Sequence, residues 1–161
     1  MQVIEVEGAN GGLHTNYEGK AQAAIDVLLG RKTSVDAAGN EIVEKIEACD
    51  FVYVHLEGPD EMGHQGSVEK KLQAIEWLDE RIVKPIAEGL KEAGEDFRML
   101  ILPDHPTPIC IRTHSSDPVP YVLYDSREEK YHTWQYNEKD AKATGVCVPE
   151  GCLLMEQFLA G

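Results

Sequence analysis

The sequence has no apolar run long enough to cross a membrane, and basic residues are scarce. No stretch approaches the roughly 20 apolar residues of a spanning helix, and residues 1–12 lack the basic region and apolar stretch of a signal peptide. With 15 Lys and Arg against 29 Asp and Glu, the net charge of -14 disfavours binding to nucleic acid or anionic lipid. The sequence therefore predicts a cytoplasmic protein with neither a membrane nor a nucleic-acid partner.

Two further patterns are absent, a paired-cysteine metal motif and a phosphate-binding loop. No CxxC pair occurs, so we interpret the cysteines as free thiols that pack rather than bind metal. The glycine-rich segment 8–12 precedes Lys20 without the GxxxxGK[ST] spacing, and we interpret it as a turn. The four cysteines are Cys49, Cys110, Cys147 and Cys152.

The first candidate metal ligands follow the apolar run Phe51–Val54. A Gly-Pro break follows this run and leads into a loop that carries Asp60 and His64. Either residue alone would be an ordinary turn aspartate or a solvated histidine. A carboxylate and an imidazole four residues apart at the end of a buried strand are, however, typical of metal sites in α/β proteins.

A second apolar run repeats this arrangement. Met99–Leu102 ends at a proline and leads to Asp104 and His105, and His114 follows nine residues later, before a third apolar run. Together with the first pair, these residues give two aspartates and three histidines at strand ends or in adjoining loops. Such a mixed nitrogen and oxygen ligand set suits borderline metals such as Zn²⁺ or Mn²⁺.

The apolar pattern predicts an α/β domain with parallel strands and with helices on the sheet faces. The chain of 161 residues is long enough for one domain with a real core. Parallel strands would bring the ligands to one edge of the sheet. The predicted elements are a strand at Val3–Val6, a helix over 19–29 that Gly30 ends, a loop over 30–40, a helix restarting at Ile42 and a strand at Phe51–Val54. A long helix follows, capped by Ser67 and ended at Gly94, with one apolar stripe from Val68 to Leu90 and a bend at Pro85. The last predicted elements are strands at Met99–Leu102 and Pro118–Tyr124 and a closing helix near Leu153–Leu159.

Four segments, TNYEGKA, VHLEGPDEMGH, DHPTP and HSSDPVP, carry a family resemblance along most of the chain. In this order and spacing they resemble the carboxyl-terminal part of cofactor-independent phosphoglycerate mutases of the archaeal type, in the alkaline phosphatase superfamily. The resemblance implies a three-layer sandwich with a mostly parallel sheet, incomplete in this chain. Residues 1–161 would be the carboxyl-terminal portion of the metal-binding domain, without the amino-terminal portion and the inserted substrate domain.

The resemblance also implies a reaction and a ligand set. The family interconverts 2- and 3-phosphoglycerate, in glycolysis and gluconeogenesis, through a phosphoserine intermediate. Asp60, His64 and His114 would bind one divalent metal, and Asp104 and His105 the other, with Mn²⁺ preferred over Zn²⁺, Mg²⁺ or Co²⁺. No serine here stands in the setting of the family's nucleophile, which we expect upstream, so we expect the chain alone to be inactive.

Alternatives to the mutase are also compatible with the sequence. One is a phosphatase or phosphodiesterase of the same superfamily, and another is a metal-binding domain without catalysis. The expected partners are the phosphoglycerate substrate, the missing amino-terminal part, and a second copy of the chain over the exposed edge of the incomplete sheet.

Overall fold

The computed structural model describes residues 2–128 and 130–160, and the chain separates into two compact units. The first unit comprises the residues up to Glu95 together with Pro108–Thr113, and the second comprises Asp96–Thr107 and the residues from His114 onward. In the described part of the chain, no helix is both long and apolar enough to span a membrane.

The first unit is built from helices and one β-hairpin. Its elements are α1 (Tyr17–Leu28), β1 (Arg31–Val35), β2 (Glu41–Lys45), α2 (Gly58–His64), α3 (Val68–Leu78), a π-helical turn (Asp79–Val83) and α4 (Lys84–Glu92). The predicted helix over 19–29 is confirmed as α1. It begins where the Asn16 side chain accepts a hydrogen bond from the Gly19 N–H, and it ends at Gly30, whose φ is +64°.

The hairpin corrects two predictions, the loop over 30–40 and the helix restarting at Ile42. β1 and β2 pair antiparallel in a register that runs from Arg31 opposite Lys45 to Val35 opposite Glu41. In the connecting turn, the Asp36 carboxylate accepts hydrogen bonds from the N–H groups of Ala38 and Asn40. This Asx-type turn reverses the chain, so the β-branched residues that follow form a strand rather than a helix.

The long helical segment begins as predicted, because the Ser67 side chain accepts a hydrogen bond from the Lys70 N–H and caps α3. We predicted a bend at Pro85, and the structure has the π-helical turn in the five residues before α4. There the Lys84 N–H donates to the Asp79 carbonyl, five residues back. A wider turn next to proline is one way for a helix to accommodate a residue that cannot donate.

The π-helical turn also explains why the predicted single apolar stripe is only partly buried. The extra residue in the turn rotates the helix face, so α3 buries Ala74 instead of the stripe positions. Before the turn, three stripe residues are exposed, namely Val68, Leu72 and Ile75. From the turn onward, three are buried, namely Ile82, Ile86 and Leu90.

The second unit contains β3 (Arg98–Ile101), β4 (Val122–Asp125), α5 (Glu138–Ala143) and α6 (Cys152–Ala160). The strand predicted at Met99–Leu102 and the closing helix are therefore confirmed, whereas the strand predicted at Pro118–Tyr124 begins only at Val122. β3 and β4 pair antiparallel, with Leu100 opposite Leu123. The four cysteines are free, as predicted, but all four are exposed, so their assignment as packing residues is wrong.

Two predicted strands, Val3–Val6 and Phe51–Val54, belong to no β-ladder in the described residues. Residues 51–57 nevertheless alternate between exposed and half-buried, and the rings of Tyr53 and His55 stack 6.0 Å apart. Both features are typical of an extended segment. A segment in extended conformation becomes a β-strand only when a neighbouring strand completes its backbone hydrogen bonds. The described strands form two antiparallel pairs and no parallel one.

Candidate metal centre

Asp60 and His64 lie on one face of α2, one helical turn apart. The sequence predicted them in a loop, and this is corrected: Pro59 stands in the first turn of a short helix, where its missing donor is tolerated. The distance from Asp60 Oδ2 to His64 Nε2 is 3.3 Å, and both side chains are about one-third exposed. The helix therefore presents an oxygen and a nitrogen side by side toward solvent.

The opposite face of α2 is anchored in the core of the first unit. Met62 is 4% exposed and packs in a cluster with Leu13 and Ala74. Gly58 lies so close to Tyr17 that a Cβ atom added there would be 3.2 Å from the tyrosine hydroxyl. These contacts fix the rotation of the helix, and with it the direction of its two ligand side chains.

The carboxyl end of α2 is closed by a Schellman motif centred on Gly66, whose φ is +69°. The Gly66 N–H donates to the Gly63 carbonyl and the Ser67 N–H to the Met62 carbonyl. Arg112, in the same unit, lies against this turn. A Cβ atom at Gly66 would come within 2.5 Å of its Nε, and His64 Nδ1 is 3.0 Å from its carbonyl oxygen.

In the second unit, Asp104 and His105 follow β3 as predicted. His105 Nε2 is 3.2 Å from Asp104 Oδ2, and the His105 N–H donates to Asp104 Oδ1 at 3.0 Å. The Thr107 hydroxyl, in a residue only 4% exposed, lies 3.4 Å from His105 Nδ1. Asp104 and His105 are therefore held by the His105 backbone N–H and by the hydroxyl of the buried Thr107.

His114 also lies in the second unit and contacts His105. Their ring centroids are 3.7 Å apart, with 32° between the ring planes. The structure thus brings Asp60 and His64 together in one unit, and Asp104, His105 and His114 together in the other. The family resemblance assigns His105 and His114 to different metals, and ligands of two neighbouring ions are expected to lie this close.

The spacing of both Asp-His pairs suits a divalent metal. Ligand atoms about 2.1 Å from a tetrahedral ion are about 3.4 Å apart, and those on adjacent corners of an octahedron are about 3.0 Å apart. The oxygen-to-nitrogen distances of 3.3 and 3.2 Å fall between these values. The donor types and their separations fit a divalent cation.

A shallow cavity of about 200 Å³ lies beside the start of α2 and is lined in part by Lys20, His55 and Glu57. Lys20 Nζ donates to the His55 carbonyl at 2.7 Å, and His55 Nε2 is 3.4 Å from Glu57 Oε1. Burial lowers the pKa of Lys20, and the Glu57 carboxylate offsets part of this shift. These residues order the segment that leads into α2.

Sequence reasoning missed the contact that the Arg112 backbone makes with His64. The sequence suggests for Arg112 a cation that either binds a phosphate locally or lies on the surface, whereas the structure places its carbonyl against His64 Nδ1. A backbone contact between residues 48 positions apart leaves no pattern in the sequence. The one available signal was the position of Arg112, two residues before His114.

Comparisons with known proteins agree with this geometry. The model of the Metalloenzyme superfamily matches residues 3–156. The chain is 48% identical over 143 residues to a 2,3-bisphosphoglycerate-independent phosphoglycerate mutase of Methanosarcina barkeri, covering 88% of this chain and 31% of the relative. It is 42% identical over 160 residues to a probable mutase of the same type from Geobacter sulfurreducens, covering 99% of this chain and 35% of the relative.

A solved structure is also similar, that of the PH0037 protein from Pyrococcus horikoshii. Its TM-score is 0.61 at 28% sequence identity, and the match covers 88% of this chain and 37% of the other. The chain thus spans about a third of the length of the relatives that it matches. With the family model matched along nearly its whole length and two Asp-His pairs at metal-ligand spacing, this chain belongs to the Metalloenzyme superfamily.

Proposed function

We propose that this chain supplies part of the active site of a metal-dependent, 2,3-bisphosphoglycerate-independent phosphoglycerate mutase. The observation that carries the proposal is the Asp60–His64 pair, 3.3 Å apart on a helix anchored from behind, in a chain similar to such mutases over 88% of its length. The substrates would be 2- and 3-phosphoglycerate, and the enzyme would act in the cytoplasm, in glycolysis and gluconeogenesis.

We assign Asp60, His64 and His114 to one divalent ion. Asp60 and His64 already have the required spacing. His114 follows Arg112, whose carbonyl contacts His64, by two residues, and two residues of chain span at most about 7 Å. This short tether supports a shared site for the three side chains.

We assign Asp104 and His105 to a second ion, and propose Mn²⁺ for both sites, with Zn²⁺, Mg²⁺ or Co²⁺ as alternatives. Two divalent ions, when bound, would stabilise negative charge on the attacking and leaving oxygens of phosphoryl transfer. The chain's own carboxylates and imidazoles would hold the ions and fix their positions. Because the net charge is -14, an anionic substrate depends on the positive charge of such ions.

We further propose that the remaining parts of the site lie in the rest of a longer protein. The apolar runs Val3–Val6 and Phe51–Val54 belong to neither sheet of the described residues. Strands of the longer protein would pair with them in a mostly parallel, alkaline-phosphatase-like sheet. The serine nucleophile would come from the same portion. Residues 1–161 would then be the carboxyl-terminal portion of the metal-binding domain.

A coupled assay tests the proposal. Enolase converts the 2-phosphoglycerate that the mutase forms into phosphoenolpyruvate, and the phosphoenolpyruvate is measured. With Mn²⁺ added, the full-length protein is expected to interconvert the two phosphoglycerates, whereas the 161-residue chain should stay at background. Release of inorganic phosphate from 3-phosphoglycerate by the full-length protein, without mutase turnover, would instead support a phosphatase. Turnover by the chain alone, purified free of host mutase, would show that one of its own residues is the nucleophile.

A further inference from the structure

Arg112 has an unusual backbone conformation for its residue type. With φ of +55°, it alone among the described non-glycine residues has a positive φ. Its N–H donates to the Pro108 carbonyl at 2.9 Å, four residues back. This bond closes a left-handed turn of the kind in which glycine usually stands, because a Cβ atom is disfavoured there. The surroundings of Arg112 must therefore stabilise this backbone conformation.

The contact between Arg112 and His64 determines which imidazole nitrogen carries the proton. His64 Nδ1 lies 3.0 Å from the Arg112 carbonyl oxygen. A carbonyl oxygen only accepts hydrogen bonds, so Nδ1 must be the donor. In the neutral ring, the lone pair is then on Nε2, which lies 3.3 Å from Asp60 Oδ2. Nε2 is thus the nitrogen that can bind a metal together with that carboxylate.

The Arg112 side chain also contacts the end of α2. Its guanidinium group lies across Gly66, where an added Cβ atom would be 2.5 Å from Nε and 2.9 Å from Cζ. Gly66 ends the helix that carries His64. The arginine therefore contacts the His64 ring through its carbonyl and the helix terminus through its side chain. Both contacts lie within the first unit.

We propose that Arg112 is a positioning residue, whose left-handed backbone holds His64 in the Nδ1–H tautomer so that Nε2 is the metal-binding nitrogen. A hydrogen bond from the other ring nitrogen to a carbonyl is a common way to fix a metal-binding histidine, and its loss typically weakens metal binding by 10- to 100-fold. The inference rests on the proposed function, because it assumes that His64 binds the metal. It adds a backbone group that no ligand motif specifies.

The test compares two variants that both remove the guanidinium group, Arg112→Val and Arg112→Gly. Valine strongly disfavours a positive φ, whereas glycine adopts it readily. Nitrogen-15 NMR of the metal-free, 161-residue chain at mildly alkaline pH reports the tautomer directly. Calorimetric Mn²⁺ titration of the same samples reports affinity. Backbone amide spectra of α1 and α4 show whether each variant is folded.

We expect the wild type and Arg112→Gly to keep the Nδ1–H tautomer of His64, with Mn²⁺ dissociation constants within about twofold of each other. Arg112→Val should shift His64 toward the Nε2–H tautomer and raise the dissociation constant about tenfold. An Nε2–H tautomer in the wild type would overturn the proposal, whether or not the valine variant folds. Equal tautomer populations in both folded variants would overturn it as well.

Different results would contradict the positioning role of Arg112 and the metal site of the proposed function. If His64 has the Nδ1–H tautomer and responds to Arg112→Val, but no variant binds Mn²⁺, the positioning role stands and the metal site of the proposed function is wrong. If Mn²⁺ binds tightly while His64 has the Nε2–H tautomer, the metal site stands and the role of Arg112 is wrong.

Discussion

The two compact units differ sharply in how much of a hydrophobic core they contain. Among the described residues, every buried hydrophobic side chain except those of Pro120 and Leu154 belongs to the first unit. Asp60 and His64 stand on a helix that this core supports. The ligands of the second unit lie instead in segments after β3, held by local hydrogen bonds and one ring contact.

This difference indicates that the two Asp-His pairs reach their geometry by different routes. In the first unit, packing has already ordered the ligand side chains, so metal binding requires little further ordering. In the second unit, fewer buried contacts oppose local motion, and such regions open most easily. We therefore expect the first pair to bind a metal ion within this chain, and the second pair to depend on the bound ion and on the longer protein.

The largest expected effect comes from removing the core support of α2 by Met62→Ala. Met62 is 4% exposed and packs against Leu13 and Ala74. Truncation of such a side chain costs about 2–5 kcal/mol in the free energy of unfolding, which urea denaturation can measure. Mn²⁺ binding should weaken in parallel, because α2 loses the contact that fixes its rotation.

The matched control is Met155→Ala, the same chemical change at a side chain that is 40% exposed in the second unit. It should cost less than about 1 kcal/mol and leave metal binding unchanged. If both substitutions destabilised the chain equally, the contrast between the two units would be wrong.

A smaller effect is expected from Asp26→Asn, about 2 kcal/mol at pH 7. The buried Asp26 carboxylate joins α1 to the hairpin by accepting hydrogen bonds from Gln22, Arg31 and both the N–H and hydroxyl of Thr33. Burial by itself would raise the pKa of Asp26, but these hydrogen bonds outweigh it and hold the pKa below its ordinary value.

The direction of this pKa shift predicts the pH dependence of the loss. Because the folded-state pKa of Asp26 is lower than the unfolded-state value of about 3.9, its stabilisation is complete above that value and is lost as pH falls through the folded-state pKa. The cost of Asp26→Asn should therefore shrink below about pH 4. Asp125, a more exposed carboxylate in the second unit, offers the comparison. Hydrogen bonds from Arg127 also hold the pKa of Asp125 below its ordinary value, but solvent screens this exposed pair, so Asp125→Asn should cost less at pH 7.

The smallest effect is expected from Ser67→Ala, which removes the cap of α3. The serine hydroxyl accepts the Lys70 N–H at the turn between α2 and α3, and loss of such a cap costs about 1 kcal/mol. Ser116→Ala, an exposed serine of the second unit, should change stability by less than about 0.5 kcal/mol. Thermal unfolding of the two variants measures the difference.

Sequence reasoning succeeded where local chemistry decides the structure. The Ser67 cap, the glycine stop at Gly30 and the strand at Met99 follow from side-chain chemistry and apolar periodicity, and all three are present. It failed at Ile42, where the spacing of apolar residues is compatible with a helix but the Asx turn at Asp36 produces a hairpin. Short apolar runs do not distinguish the two structures.

The candidate site shows the same division. The types and order of the ligands could be read from the sequence, because carboxylates and imidazoles after apolar runs form a pattern. The helix beneath Asp60 and His64 was missed because a Gly-Pro break also begins helices when proline stands in the first turn. Phe51–Val54 was predicted as a strand from its composition alone, but strand formation also requires a partner.

The central claim is that Asp60, His64 and His114 bind one divalent ion within this chain, and calorimetric titration with Mn²⁺ or Zn²⁺ tests it most directly. We predict about one strong site per chain, lost in His64→Ala and in His114→Ala and retained in His105→Ala. Strong binding that survives His64→Ala but disappears in His105→Ala would contradict the account.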